Sequence, residues 1–492
     1  MRPTVMAASI TLVLAVVAAA FPSLALAAPP ITQTEAVATA QQLAARVGGY
    51  SARHPDDPGA FAPWAGERVE AGTPLLIHSY PALEPSYYYV PLTSQRTGAE
   101  SYLTVDAVTG AWHAFGERTG RASFPEVTGA QAAQRVASEL GTAVSPAELR
   151  VVSMPNKHLY WHWRDHLPAA PSREFFINLS DPDDVHRAPD AEIAPPRPAL
   201  GTPRENTAQA DPGAGTPTGR GETRFPPAYN ISSVPYHVQV TSYNCGPAAS
   251  EMVMDYYGAD IDQEDIADVA NCLPSGGSYA YDVRRTGHFS AISTAVQNAS
   301  LQGYDERKLG YGALEAWWSY PGTGDPDYPD RYNDLKELVS TDFPVLVLTW
   351  YDTTQEGGHF RVVKGYNDTT NVFIVHDPWY TPPYQGPDVN FNQTTFVDNL
   401  WTQWYRWGTV ICPWEVQVSA PDEVDFGATF TVQAVIYYHG PHPFDGQDPA
   451  SSREAAIDMS PIFALAPGET ATKVIPGTAS SGIGNLVTWD IV

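Results

Sequence analysis

The sequence predicts an α+β protein of about three domains, and three observations carry that prediction. The chain has 492 residues, more than one hydrophobic core supports. Stretches with apolar residues at helical spacing are interspersed with short strand-like runs. A Pro/Ala/Gly-rich stretch divides the chain, and past Trp414 only strand patterns remain. Composition agrees, since 43% hydrophobic against 17% charged residues is the balance of globular domains. The formal net charge is −27, from 55 acidic and 28 basic residues. A field of that sign repels nucleic acid and anionic lipid. No stretch carries the clustered Lys/Arg that either partner needs, so both are excluded.

Residues 1–27 read as a secretory signal peptide: Arg2, an apolar run from Met6 to Ala20, and Ala25-Leu26-Ala27 before Ala28. The run is short for a membrane anchor and no cationic stop-transfer sequence follows it. Cleavage after Ala27 and export, to the medium or the cell surface, are therefore expected, with no membrane attachment afterwards. Residues 28–180 form the first α+β region. Thr32 to Val47 has helical spacing, Thr32 as N-cap, Glu35 completing a capping box, and Gly48 as the expected stop. Gly129–Leu140 is a second amphipathic helix. Ser86–Pro91, Ser101–Val105, Leu149–Ser153 and Glu174–Asn178 read as strands. The segment YLTVDAVTGAWHAF reads as strand, Thr-Gly turn, strand.

Residues 181–228 are rich in Pro, Ala, Gly, Thr and Asp, and this composition predicts a linker. Pro203–Arg224 within it is the expected site of proteolytic maturation. Residues 229–413 alternate helix and strand patterns and hold the chemistry. Residues 414–492 (WEVQVSAPDEV, ATFTVQAVIYY, TATKVIP, VTWDIV) alternate apolar and polar residues between Gly/Pro turns, the pattern of a small immunoglobulin-like β-sandwich.

Three cysteines are present, Cys245, Cys272 and Cys412, and an odd count in an exported chain leaves a thiol over. Cys245 is followed by Gly246-Pro247, and proline is at home in the first helical turn. Ala248, Ala249, Met252, Val253 and Tyr256 then make one apolar face, with Gly258 as the stop. Cys245 thus sits at a helix entrance, where unpaired N–H groups and the helix dipole favour a thiolate. A buried inert cysteine, the commoner case, explains neither the position nor the Gly-Pro. Gln239, six residues upstream, offers a side-chain amide to join the Cys245 N–H as an oxyanion donor, although alone a Gln in a Tyr/Val-rich strand reads as an ordinary surface residue.

Downstream, HFRVVKG and NVFIVHD read as two strands joined by the turn formers Tyr366 to Thr370. Asp368 lies midway between His359 and Asp377. A hairpin centred there sets His359 directly opposite Asp377 on the same sheet face, where a carboxylate holds an imidazole in the orientation a general base requires. A structural histidine and a strand-ending Asp377-Pro378 turn are the plainer alternatives. A metal site from His359, His376 and Asp377 is disfavoured, because adjacent His376 and Asp377 point to opposite faces. No metal and no cofactor are expected. Among the aromatic residues Trp317, Trp318, Trp350, Tyr351, Trp379 and Tyr380, most read as core, and Trp379 is the candidate wall of a substrate cleft. His237 and His288 read as structural or surface residues.

Gln239, Asn244-Cys245-Gly246-Pro247-Ala248, Gly358-His359 and Val375-His376-Asp377-Pro378 together resemble the cysteine peptidases related to bacteriocin leader-processing domains. The resemblance spans about residues 231–415. It implies a papain-like fold, Cys245 as nucleophile, His359 as general base and acid, Asp377 as orienter, and Gln239 with the Cys245 N–H as oxyanion hole. Asn244 stands where an Asp is often seen and bears on substrate preference; Asn244, Gly358 and Trp379 are the expected substrate contacts. The hairpin and helices of residues 28–180 resemble PepSY-type domains of secreted bacterial peptidase pro-regions, although an α+β domain of unrelated role has the same pattern. The expected partner is a peptide or protein substrate, and the chain is expected to be monomeric. With Cys245 free, Cys272 and Cys412 either pair or stay as thiols. An acyltransferase of the transglutaminase type, using the same triad to pass an acyl group to an amine, is one rival. A non-catalytic binding protein on a papain-like scaffold is another.

Overall fold

The computed structural model describes residues 29–118, 124–165, 173–189, 192–193, 225–257, 261–274, 276–287, 309–318, 331–382, 384–419, 429–438 and 470–478. The expected signal peptide (residues 1–27), Gly258, His288 and the Pro203–Arg224 segment lie outside the described residues. Mixed helix and sheet content agrees with the α+β class.

The first helix, α1 (Gln33–Arg53), begins where Thr32 and Glu35 form the capping box. It does not stop at Gly48 but runs on to Arg53. Gly48 is there for another reason: a Cβ would collide with the Trp64 carbonyl, which packs against the helix at this point. Strands β1 (Val69–Ala71), β2 (Leu75–His78), β3 (Pro85–Ser94), β4 (Glu100–Asp106) and β5 (Trp112–Glu117) follow. β1 and β2 both pair with β3, and β3–β4–β5 form an antiparallel meander. The β4–β5 turn is shaped by the Asp106 carboxylate, which accepts from the Val108 and Thr109 N–H groups at 2.9 and 2.6 Å. Then come α2 (Gly129–Leu140), capped at Thr128 and ended by Gly141 at φ 67°, and β6 (Arg150–Ser153), β7 (Leu159–Arg164) and β8 (Glu174–Asn178).

The expected linker starts later than composition suggests. Val185–His186 is strand β9, paired with β8, and Ile193 is fully buried. Asp184 holds this segment by accepting from Asn178 and Tyr160 at 2.7 and 3.1 Å. The stretch looks like linker in sequence because its few apolar residues are spaced too widely to show a period.

The central region contains β10 (Ala228–Asn230), α3 (Cys245–Tyr256), α4 (Gln263–Val269), α5 (Ala280–Thr286), β11 (Leu309–Trp317), α6 (Arg331–Ser340), β12 (Val345–Trp350), β13 (Gly358–Asn367), β14 (Val372–Asp377), β15 (Gly386–Asn392) and β16 (Trp407–Ser419). β13 pairs with β10, β12 and β14, β14 pairs with β15, and β16 pairs with β11 and β12. α3 packs against β13. Strands β17 (Thr429–Tyr438) and β18 (Thr470–Thr478) extend the sheet from β16, which runs unbroken across position 413.

The N-terminal and central regions are not separated by their cores. β15 pairs with β5 through Asn390–Phe115 and Phe391–Ala114. One apolar cluster contains Tyr87, Tyr89 and Tyr102 together with Met252, Phe360 and Val362, and a second joins Ala40 and Val47 of α1 to Val372 and Ile374 of β14. Burial of that shared surface holds the two regions as one packed body.

Two neighbouring glycines in α1 test this packing in opposite directions. Gly48→Ala places a methyl group against the Trp64 backbone and should destabilise the fold by about 1–3 kcal/mol. A Cβ at Gly49 would meet nothing within 4 Å, so Gly49→Ala should stabilise by about 0.5–1 kcal/mol. Thermal or denaturant unfolding of the two variants reads both signs.

Candidate active site

Cys245 is the first residue of α3, 5% exposed, with Asn244 as N-cap. The following Gly246 sets how closely the helix approaches the sheet. A Cβ there would lie 2.7 Å from Val283 Cγ2 and 3.3 Å from Phe360 Cδ2. Any side chain at 246 therefore pushes Cys245 away from the strand that carries His359. Of the apolar face read from the sequence, Ala248, Ala249, Met252 and Val253 are fully buried, while Tyr256 is only half-buried.

His359 enters from β13 and Asp377 from the end of β14, both fully buried, with His359 Nε2 2.7 Å from Asp377 Oδ1. The contact is the expected one, but the register differs. The last ladder pair is Val362–His376, and a bulge at Lys364 interrupts the pairing between Val363 and Gly365. By that ladder the residue opposite Asp377 is Arg361, and His359 reaches the carboxylate diagonally. Because the offset is two residues, parity is kept and His359, Arg361 and Asp377 still share a face.

Arg361 is not singled out by the sequence reading. It is fully buried, with Nε donating to Asp377 Oδ2 at 2.7 Å and its other nitrogens to the Trp350 and Tyr351 carbonyls at 2.8 and 2.7 Å, and also to Thr349 Oγ1. The Trp379 N–H donates to Asp377 Oδ1 at 2.9 Å. Burial alone would raise the Asp377 pKa. The Arg361 cation, then His359 and the Trp379 N–H, outweigh it and bring the carboxyl down to about 2.

With Nε2 committed to Asp377, His359 Nδ1 is buried and makes no hydrogen bond of ordinary geometry. The imidazole is nonetheless near enough to the sulfur to act on it. Burial would raise the Cys245 thiol; the Lys157 cation, then the His359 imidazole and the Phe360 N–H, outweigh burial and lower it to about 6. Lys157 comes from the β6–β7 turn of the N-terminal region, with Nζ 3.5 Å from Cys245 Sγ. It too escapes the sequence reading, because no local pattern marks a residue so distant in sequence.

Gln239 is brought to the site by its backbone, whose N–H donates to the Pro378 carbonyl at 2.9 Å. Its side-chain Nε2 donates to the Thr241 carbonyl at 2.6 Å, and Oε1 is buried without a partner. Asn244 Oδ1 accepts from Thr241 Oγ1 at 2.8 Å and lies 3.5 Å from Cys272 Sγ, so this carboxamide braces the turn before Cys245. Gly358 opens β13 opposite Trp350. Trp379 is fully buried, with its ring centroid 5.9 Å from Tyr351 and 6.4 Å from His359.

Cys272 is a free thiol donating to the Tyr243 carbonyl at 3.3 Å; the Cys412 side chain lies outside the described residues. Its place beneath the turn that precedes Cys245 gives it a local partner. His376 faces away from His359, bonded to the Val234 carbonyl at 3.1 Å. Among the described residues His237, Glu251 and Asp255 gather ligand atoms within 4.8 Å. Within that cluster His237 Nε2 lies 2.8 Å from Asp255 Oδ2.

The buried Arg361–Asp377 pair makes a stability prediction. Arg361→Met leaves a carboxylate without its main counter-charge and should cost about 3–5 kcal/mol in denaturant unfolding. In the wild-type chain Asp377 ionises lower folded than unfolded. Its contribution is therefore complete above the ordinary carboxylate range of about 4 and is lost as pH falls through about 2.

No curated protein and no solved structure matches this chain. Residues 231–407 match the Peptidase_C39 like family. That span holds α3, β13 and β14, and with them Cys245, His359 and Asp377. The middle of this chain is thus similar to the Peptidase_C39 like family, and the match points to a cysteine peptidase with a papain-like core.

Proposed function

We propose that the chain is an exported cysteine peptidase that cuts peptide or amide bonds through Cys245, His359 and Asp377. The observation that carries the reading is a buried carboxylate bonded to Nε2 of an imidazole whose Nδ1 is unpartnered, beside a helix-entrance thiol that the imidazole helps to lower to about 6. The Cys245 thiolate attacks the carbonyl carbon, and negative charge gathers on the oxygen. The Cys245 N–H and the second N–H of the Gln239 amide are the donors available to it. The C–N bond then breaks as protonated His359 gives its proton to the leaving amine. Water, deprotonated by His359, resolves the thioester and regenerates the thiol. Asp377 keeps the imidazole oriented through both steps, and Arg361 keeps Asp377 ionised. The N-terminal region is the pro- or regulatory domain of this reading, and export follows from the signal-like residues 1–27.

Cys245→Ala should abolish release of new amino termini from short peptide substrates while leaving the thermal transition within about 1 kcal/mol of wild type, since one sulfur is removed. Retained turnover contradicts the assignment. The acidic limb of kcat/KM for the wild-type chain should follow thiolate formation, rising through about pH 6 and levelling above it. Added amines should accelerate thioester loss no more than their competition with water dictates. A product distribution dominated by the amine adduct identifies the acyltransferase instead.

A further inference from the structure

The hairpin joining β6 to β7 closes on a tight turn. The Lys157 N–H donates to the Met154 carbonyl at 2.9 Å and the Met154 N–H to the His158 carbonyl at 3.2 Å. Lys157 has a φ of 70°, the left-handed region where hairpins of this kind favour glycine or asparagine. Local turn chemistry therefore does not account for a lysine here. Its side chain does, because it reaches into the proposed active site.

The turn touches both walls of the cleft. On the helix side Lys157 Nζ donates to the Ser242 carbonyl at 3.2 Å and stands 3.5 Å from Cys245 Sγ. On the sheet side Nζ lies 5.2 Å from the Trp379 ring centroid, and the His158 ring meets Trp379 edge-on at 5.0 Å. The Pro155 carbonyl is so close to Gly357 that a Cβ there would lie 2.5 Å from it. The hairpin is fastened to the central region by Asp352, which accepts from Ser153 Oγ at 2.7 Å and from the Tyr87 hydroxyl at 2.9 Å. Lys157 itself is 6% exposed, and with the turn in place Cys245 is 5% exposed while His359 and Trp379 are fully buried.

We propose that the Met154–His158 turn is an intramolecular plug: it fills the cleft between α3 and β13–β14, and its Lys157 pairs with the Cys245 sulfur to keep the enzyme latent. The proposal rests on the peptidase reading of the same site. A scissile carbonyl carbon must come within bonding reach of Sγ, and the Lys157 ammonium already stands 3.5 Å from that sulfur. The same ammonium stabilises the resting thiolate, an interaction lost when the thiolate attacks, and so it adds to the barrier while the turn is seated. Activation requires the turn to leave the cleft.

The test compares three full-length proteins: wild type, Lys157→Glu, which places a carboxylate beside the thiolate, and Gly357→Ala, which forces the Pro155 carbonyl outward. Each is treated with iodoacetamide, with a peptidyl chloromethyl ketone, and with an extended peptide substrate. The peptidyl reagent should label Cys245 at least tenfold faster in both variants than in wild type, with iodoacetamide changing less and peptide hydrolysis rising in parallel. Wild-type labelling by the peptidyl reagent as fast as in the variants overturns the plug. Slower hydrolysis in both variants also overturns it, because the seated turn then assists the chemistry rather than blocking it. Faster peptidyl labelling without hydrolysis of any peptide keeps the plug and sinks the peptidase reading. Hydrolysis by wild type at the variants' rate does the reverse.

Discussion

Asp377 is the residue on which the site depends. A carboxylate with no solvent contact is tolerated only where cations and N–H groups replace water. Here Arg361 takes one oxygen, while His359 and the Trp379 N–H take the other. Arg361 in turn bonds the carbonyls of Trp350 and Tyr351 at the end of β12. The carboxylate therefore ties together β12, β13 and the segment after β14, and the imidazole is aimed by three strand ends rather than by one contact. Under the proposed function, this rigid support holds the imidazole in the geometry a general base requires.

The opposite wall is simpler in construction. α3 presents Cys245 at its first position, where the free N–H groups of the opening turn favour the anion. Gly246 lets that turn lie against Phe360, the residue next to His359. Sulfur and imidazole are thus brought together by one missing side chain. The N-terminal region contributes a third party through the Lys157 turn. It docks by strand pairing at β5–β15 and by apolar clusters that both regions share, and so its cation is held at the site by the fold as a whole.

Local chemistry is legible where local chemistry decides. The capping box at Thr32 and the helix entrance at Cys245-Gly246-Pro247 are set by neighbours in sequence, and both stand as read. The His359–Asp377 contact is legible through strand parity, which survives an error of two, whereas the exact register is not. The Lys364 bulge shifts it, and an alternating pattern does not reveal one extra residue. Arg361 carries one usable signal, as an arginine two residues from His359 and on the same face of its strand. Gly48 misleads because a glycine needed for close approach looks the same in sequence as one that ends a helix. Lys157 is out of reach, for it meets Cys245 across 88 positions of chain, and only the packing of two regions brings the two together.

The most direct measurement is the ultraviolet thiolate absorbance of the intact chain, titrated with pH against a Cys245→Ala blank and repeated in Asp377→Asn. A Cys245-dependent band with a midpoint near 6 that moves upward when the carboxylate is neutralised is what a steadied imidazole beside a helix-entrance sulfur predicts. A midpoint near the free-thiol value of about 8.5, the same in both proteins, contradicts it.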